Sequence, residues 1–205
     1  MFLDTVVVGL LQENSYVVAC EESKEAVIID PGAEAERIYR VVTFQGFTLK
    51  YVLNTHGHID HVGGVADILA KTGVPFCMHE ADLYLLKGIE HDPLQAYLNV
   101  KAPPVPDRFL HDGDFITVGK IEFRVLHTPG HTPGSVCFLT GTTLFSGDTI
   151  FSNSIGRADL PGGNHEQLLT SIREKLLSLD DAVRIYPGHG NVTTIGSERR
   201  FNPFF

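Results

Sequence analysis

Four side chains of the kind that hold metal ions fall within six residues, His56-Gly57-His58-Ile59-Asp60-His61. They follow directly on Lys50-Tyr51-Val52-Leu53-Asn54, a run that reads as a buried strand. Imidazole nitrogen and carboxylate oxygen are ligands that divalent zinc accepts at about 2.0–2.2 Å. Alternation at 56 and 58 lets two side chains of an extended backbone point the same way. A bend through Gly57 and Ile59 then aims Asp60 and His61 at a second, adjacent point. With 10 histidines among 205 residues, chance produces this pattern on the order of 10⁻³ times in such a chain. The fold must therefore present a loop at a strand end and bring further ligands to it.

Three later positions supply candidates. His131 lies in His127-Thr128-Pro129-Gly130-His131-Thr132-Pro133-Gly134-Ser135, Asp148 in Phe145-Ser146-Gly147-Asp148-Thr149, and His189 in Pro187-Gly188-His189-Gly190. Each sits in a Gly- or Pro-rich turn, the latter two after an apolar run. Singly each reads as a turn residue. Their joint occurrence after the first cluster is what points to a metal centre. His127 reads as a turn or core residue, and His79, His91, His111 and His165 as surface or capping residues.

The rest of the chain alternates strands and helices in two halves. Thr5–Val8, Ser15–Val18 and Ala26–Ile29 read as strands, and Asp30-Pro31-Gly32 as the turn that ends the third. A helix is expected over Ala33–Phe44, and another carries Val65, Ile68 and Leu69 until Gly73 stops it. The stretch from Glu80 to Pro106 is mixed, with a short helix over Ala81–Lys87. Hairpins are expected at Gly119-Lys120 and Gly141-Thr142. Asn164 caps a helix with Gln167 three residues on, and Leu168, Leu169, Ile172 and Leu176 form its apolar stripe. Val183–Tyr186 is the last strand. The pattern predicts one α/β domain over residues 1–205, built as two mixed sheets packed face to face with helices outside.

Composition narrows the function classes. A net charge of −9 argues against a nucleic-acid partner, which would call for clustered Lys and Arg. No apolar run approaches the roughly 20 residues that span a bilayer. The opening Met1–Leu10 has an early Asp4 and no basic residue before its apolar stretch, so it reads as a strand rather than a signal peptide. Cys20, Cys77 and Cys137 are odd in number and widely spaced, which suits reduced thiols and a cytoplasmic location.

Thr55–His61, followed in order by His131, Asp148 and His189, resembles the metallo-β-lactamase superfamily over nearly the whole chain. Within it, Asn14-Ser15-Tyr16, Asp30-Pro31-Gly32 and Ile155-Gly156-Arg157 are similar to the glyoxalase II (hydroxyacylglutathione hydrolase) branch. The resemblance implies a four-layer αββα sandwich. It implies that His56, His58 and His131 hold one metal, that Asp60, His61 and His189 hold a second, and that Asp148 bridges both. Asp60 and Asp148 are the candidate catalytic carboxylates. Two zinc ions per chain are expected, iron and manganese being compatible with the same ligands, and they would generate hydroxide at neutral pH for attack on a carbonyl. Arg157 matches the basic residue that contacts an anionic end of glutathione, so the expected partner is a small anionic substrate of the S-2-hydroxyacylglutathione type.

The chain departs from that branch in two ways. Only sixteen residues follow His189, which suggests a short form without the C-terminal helical extension. Asp159 and Asn191 stand about where aromatic residues are expected. Mono-iron persulfide dioxygenase, held by His56, His131 and Asp148, and lactone or phosphodiester hydrolysis are the rival chemistries. A non-enzymatic metal-binding protein is the fourth reading. Glu198-Arg199-Arg200 could lend a cation to the pocket. Phe201, Phe204 and Phe205 could pack on the domain or form a homo-oligomer contact.

Overall fold

The computed structural model describes residues 1–98 and 100–205. Six strands form the first sheet in sequential order: β1 (Phe2–Val8), β2 (Glu13–Cys20), β3 (Glu25–Ile29), β4 (Thr48–Leu53), β5 (Phe76–Met78) and β6 (Arg108–Phe109). The first three pair antiparallel, and β3 through β6 pair parallel. The second sheet begins with β7 (Phe115–Val118), β8 (Ile121–His127), β9 (Val136–Thr140) and β10 (Thr143–Gly147), all antiparallel. A two-stranded ribbon, β11 (Ile150–Phe151) and β12 (Ser154–Ile155), leads away from it. The chain returns as β13 (Arg184–Pro187), parallel to β10, and ends in β14 (Thr193–Thr194).

Strand β2 explains the layering. All eight of its residues are buried. Its side chains alternate between faces, so both faces must be covered. Val17 and Ala19 pack with Ile28, Val52 and Phe76 against Ile38, Val42, Val65 and Ile68. Those four come from α1 (Ala35–Phe44) and, after a single turn α2 (Ile59–Val62), from α3 (Val65–Thr72). Tyr16 and Val18 point the other way, into a core shared with Phe123, Val125, Phe138 and Phe145 of the second sheet. The outer face of that sheet, with Cys137, Leu144 and Ile185, carries Leu168, Ile172, Leu176 and Ile195. The resulting order is helix, sheet, sheet, helix, as the sequence pattern predicts.

Local chemistry sets the boundaries. Gly73 ends α3 with φ 66°, a conformation that costs it nothing. Short helices α4 (Leu83–Gly88) and α5 (Gln95–Leu98) occupy the mixed middle region. The Asn164 side chain accepts from the Gln167 amide at 3.0 Å and caps α6 (His165–Ser171). The apolar stripe continues past α6, but Ile172–Leu176 is a wider π turn. Last comes α7 (Ile195–Phe201), after which Phe205 packs against the outer core while Phe201 and Phe204 stay exposed. All three cysteines are buried and unpaired. Among the described residues, no helix is long and apolar enough to cross a membrane.

Both sheets bring their functional loops to one end. The segments after β4, β8, β10 and β13 carry the candidate ligands. Backbone bonds tie the halves together there: Asn14 N–H donates to Gly188 C=O at 2.7 Å, and Val136 N–H to Thr55 C=O at 2.8 Å.

Candidate metal centre

The chain leaves β4 extended through His56 and His58, then enters α2 with Asp60 and His61 in its single turn. This change of period is why one short segment serves two points. Extended residues 56 and 58 share a face, whereas the helical turn re-aims 60 and 61. The second half contributes single residues from three turns.

All seven expected ligands meet. The ligand atoms of His56, His58 and His131 lie within 4.8 Å of one another, and so do those of Asp60, His61 and His189. Asp148 stands between the two groups. Its Oδ1 is 3.3 Å from His61 Nε2, and its Oδ2 is 3.6 Å from His131 Nε2 and 3.8 Å from His189 Nε2. That position suits a carboxylate that two metal ions would share.

The hydrogen-bond network fixes which nitrogens are free. His131 Nδ1 donates to the Arg157 carbonyl at 2.7 Å, so its Nε2 carries a lone pair in the neutral ring. Thr55 Oγ1 donates to Asp30 Oδ2 at 2.6 Å and accepts from His56 Nδ1 at 3.0 Å, so His56 Nε2 carries one as well. These two Nε2 atoms are 3.2 Å apart, and His58 Nδ1 lies 2.9 Å from the same His131 nitrogen. Facing lone pairs repel, and a cation or proton between them relieves it. His61 repeats the arrangement: Nδ1 donates to Asp30 Oδ2 at 3.1 Å, while Nε2 faces Asp148 Oδ1. Both facing atoms are buried without a hydrogen-bond partner. The donor set therefore fits metal ions.

The electrostatics differ between the two groups. Burial pushes the His56 imidazole well below its ordinary range and His58 down to about 4, with His61 and His131 adding to the effect. Both are neutral near pH 7. Burial also opposes charge on His61, but Asp148 and Asp60 overcome it and hold its pKa well above the ordinary value. The same balance, led by burial and reversed by the hydrogen bond to Asp60, raises His189. Burial opposes ionisation of Asp60 and Asp148, yet the imidazoles, His61 foremost, hold both below the usual carboxylate range. The second group thus demands a positive charge, as a proton or as a cation.

Residues behind the ligands hold them. Asp30 accepts from Thr55 N–H at 2.7 Å, Asn54 Nδ2 at 3.2 Å, Thr55 Oγ1 and His61 Nδ1. It also lies close enough to His56 and His61 to form a third acidic and imidazole trio. Its oxygens are already taken, so it supports the ligands rather than joining them. Asn14 Nδ2 donates to the Pro187 and Gly190 carbonyls at 3.0 Å each, and Tyr16 Oη donates to Pro187 at 2.6 Å, gripping the His189 turn. The sequence flagged Asp30 and Asn14-Ser15-Tyr16 as motif residues without their bonds. Glu13 is buried beside His61, and burial raises its carboxyl well above the usual range.

Two expected contributors point elsewhere. The Arg157 guanidinium is exposed and clasps Asp159 through two bonds of 2.8 and 2.7 Å. Its place at the centre is through its backbone carbonyl, on His131. The terminal arginines lend no cation to the ligands. Arg199 donates to the Leu177 and Leu179 carbonyls and pairs with Asp181, and Arg200 bonds Gly196 C=O at 2.7 Å. His79 caps a turn through Ala81 N–H, and its ring stacks on His127 at 4.3 Å, as expected for capping and turn residues.

Comparison with known proteins agrees with this geometry. The family described as the metallo-β-lactamase superfamily matches residues 8–189. The chain is 38% identical over 208 residues to a hydroxyacylglutathione hydrolase, GloC, of Haemophilus influenzae, covering 100% of this chain and 98% of that one. It is similar in structure to TTHA1623 in a di-iron-bound form, with TM-score 0.89 and 41% identity, covering 98% of this chain and 100% of the other. It is also similar to the B3 metallo-β-lactamase BLEG-1, with TM-score 0.86 and 36% identity, over 99% of both chains.

Proposed function

The chain belongs to the metallo-β-lactamase superfamily, and on that premise we propose that it is a dizinc thioesterase acting on S-2-hydroxyacylglutathione-like substrates. The observation that carries this reading is the placement of Asp148 between two imidazole-rich groups, with Oδ1 3.3 Å from His61 Nε2 and Oδ2 3.6 Å from His131 Nε2. His56, His58 and His131 would hold one ion and Asp60, His61 and His189 the other, with Asp148 between them. Metal ions bound there would supply an acidified water as nucleophile and polarise the carbonyl under attack.

The chain's own residues set direction and access. His61 is wholly buried, whereas Asp60 and His189 keep 18% and 27% of their side-chain surface exposed. Substrate therefore approaches over Asp60 and His189. Beside Asp60 lies a groove of about 240 Å³ lined by Val8, Leu10, Leu11, Tyr97 and Leu98, suited to the apolar part of an acyl group. A second hollow of about 950 Å³, beside α1 and α3, is lined by none of the seven residues. Asp60 Oδ2 lies 3.3 Å from His189 Nε2. An anionic substrate end reaching Arg157 has to displace Asp159.

The test pairs metal content per chain with hydrolysis of S-lactoylglutathione. Two zinc ions per chain, loss of turnover in EDTA and recovery with zinc support the reading. Turnover retained in metal-free protein sinks it. One iron per chain with oxygen consumption would favour a persulfide dioxygenase instead. Cleavage only of lactones, phosphodiesters or β-lactams would place the chain in another branch of the superfamily.

A further inference from the structure

His56 and His58 come from the first half of the chain and His131 from the second, yet their nitrogens must meet within a few tenths of an ångström to share an ion. Asp82 touches both loops. It ends the 3₁₀ turn Glu80–Asp82, is fully buried and accepts three hydrogen bonds. Its Oδ2 takes the Gly57 N–H, between His56 and His58, at 2.9 Å. The same oxygen takes Thr132 Oγ1, next to His131, at 2.7 Å, and Oδ1 takes the Gly134 N–H at 2.7 Å. The approach is close: a Cβ at Gly134 would sit 2.6 Å from the Asp82 carboxyl carbon. Ser135 Oγ, 2.7 Å from Thr132 Oγ1, extends the same chain of bonds.

We propose that Asp82 is a positioning residue that sets the spacing of His56 and His58 against His131, and so tunes the affinity of that ligand group alone. The inference rests on the proposed metal ligation. One carboxylate bonded to a donor beside each ligand segment makes their separation depend on its own short, rigid side chain. No bond from Asp82 reaches Asp60, His61 or His189 among the described residues, so the second group is left to Asp30, Asn14 and Tyr16.

The Asp82→Asn substitution keeps size and shape but turns one acceptor oxygen into a donor. That donor then opposes either the Gly134 N–H or the Gly57 N–H and Thr132 O–H. Zinc affinity is measured by competition with a chromophoric chelator in two backgrounds. His189→Ala leaves the His56–His58–His131 group intact, and His58→Ala leaves the other. Asp82→Asn is expected to weaken zinc about 10–100-fold in the first background, the range typical for partners that orient metal ligands, and to leave the second unchanged. Equal loss in both backgrounds, or loss in neither, overturns the proposal. If neither background binds zinc without Asp82→Asn, the ligand assignment itself has failed. Thr132→Val removes one of the three bonds and gives a smaller loss in the same direction, so it decides the matter if Asp82→Asn does not fold.

Discussion

Gly188→Ala offers the sharpest test of how tightly the centre is built. Gly188 precedes His189, and a Cβ there would lie 2.3 Å from Asp148 Oδ1 and 2.6 Å from His61 Cε1. Side-chain Cβ atoms essentially never approach closer than 3.0 Å. The carboxylate oxygen must therefore retreat by at least about 0.7 Å, or the His189 turn must lift by as much. Asn14 and Tyr16 hold that turn through three bonds to carbonyls, so the carboxylate is the part that yields. A ligand misplaced by about 1 Å costs on the order of 100-fold in rate, about 2.7 kcal/mol of barrier. Gly188→Ala is expected to lower thioester turnover by that order and to bind fewer than two metal ions, read by elemental analysis of dialysed protein. Gly73→Ala is the control. It imposes the backbone penalty of φ 66° with nothing within 4 Å, a strain Gly188 does not carry, so it costs about 1 kcal/mol of stability and leaves metal content intact. A Gly188→Ala protein with two ions and full turnover would refute the reading of Asp148 as the bridge.

Other outcomes follow from the same geometry. Asp30→Asn keeps a residue type that tolerates its left-handed φ of 49° but opposes a donor to Thr55, Asn54 or His61; zinc affinity should fall about 10–100-fold, and unchanged affinity in a chelator competition would contradict the supporting role. His58, held at about 4 against an unfolded value near 6.5, refuses a proton that the unfolded chain accepts. Metal-free protein should thus lose stability as pH falls from about 6.5 to 4, and His58→Asn should flatten that slope in urea denaturation. Arg157→Ala should leave metal content unchanged, because the backbone carbonyl that holds His131 remains; any activity change should appear in KM for anionic substrates, and loss of metal would show that the side chain matters to the centre.

Much of this was legible from single runs of sequence. The Thr55–His61 cluster declares its own chemistry, and the β-branched and aromatic run of β2 and the apolar alternation of β8 declare strands. The supporting bonds were not legible, because their partners are distant in the chain: Asp30 lies 31 residues from His61, and Asn14 lies 173 from Pro187. Asp82 sits in a stretch without periodicity, so nothing local marked it. The two-residue strands β6, β11, β12 and β14 are too short to carry a pattern. The Ile172–Leu176 turn keeps a helical stripe while its backbone widens, a difference that side-chain spacing does not register. Arg157 stands out in the sequence for its charge, but it is the peptide carbonyl that reaches the ligands, and any residue type has one.

Each ligand trio draws two members from the segment after β4 and one from the opposite sheet. An ion seated there works as a bolt through two plates. Removing it should loosen that edge of the sandwich, read as faster amide exchange at Asn14 and Val136, whose bonds join the two halves there.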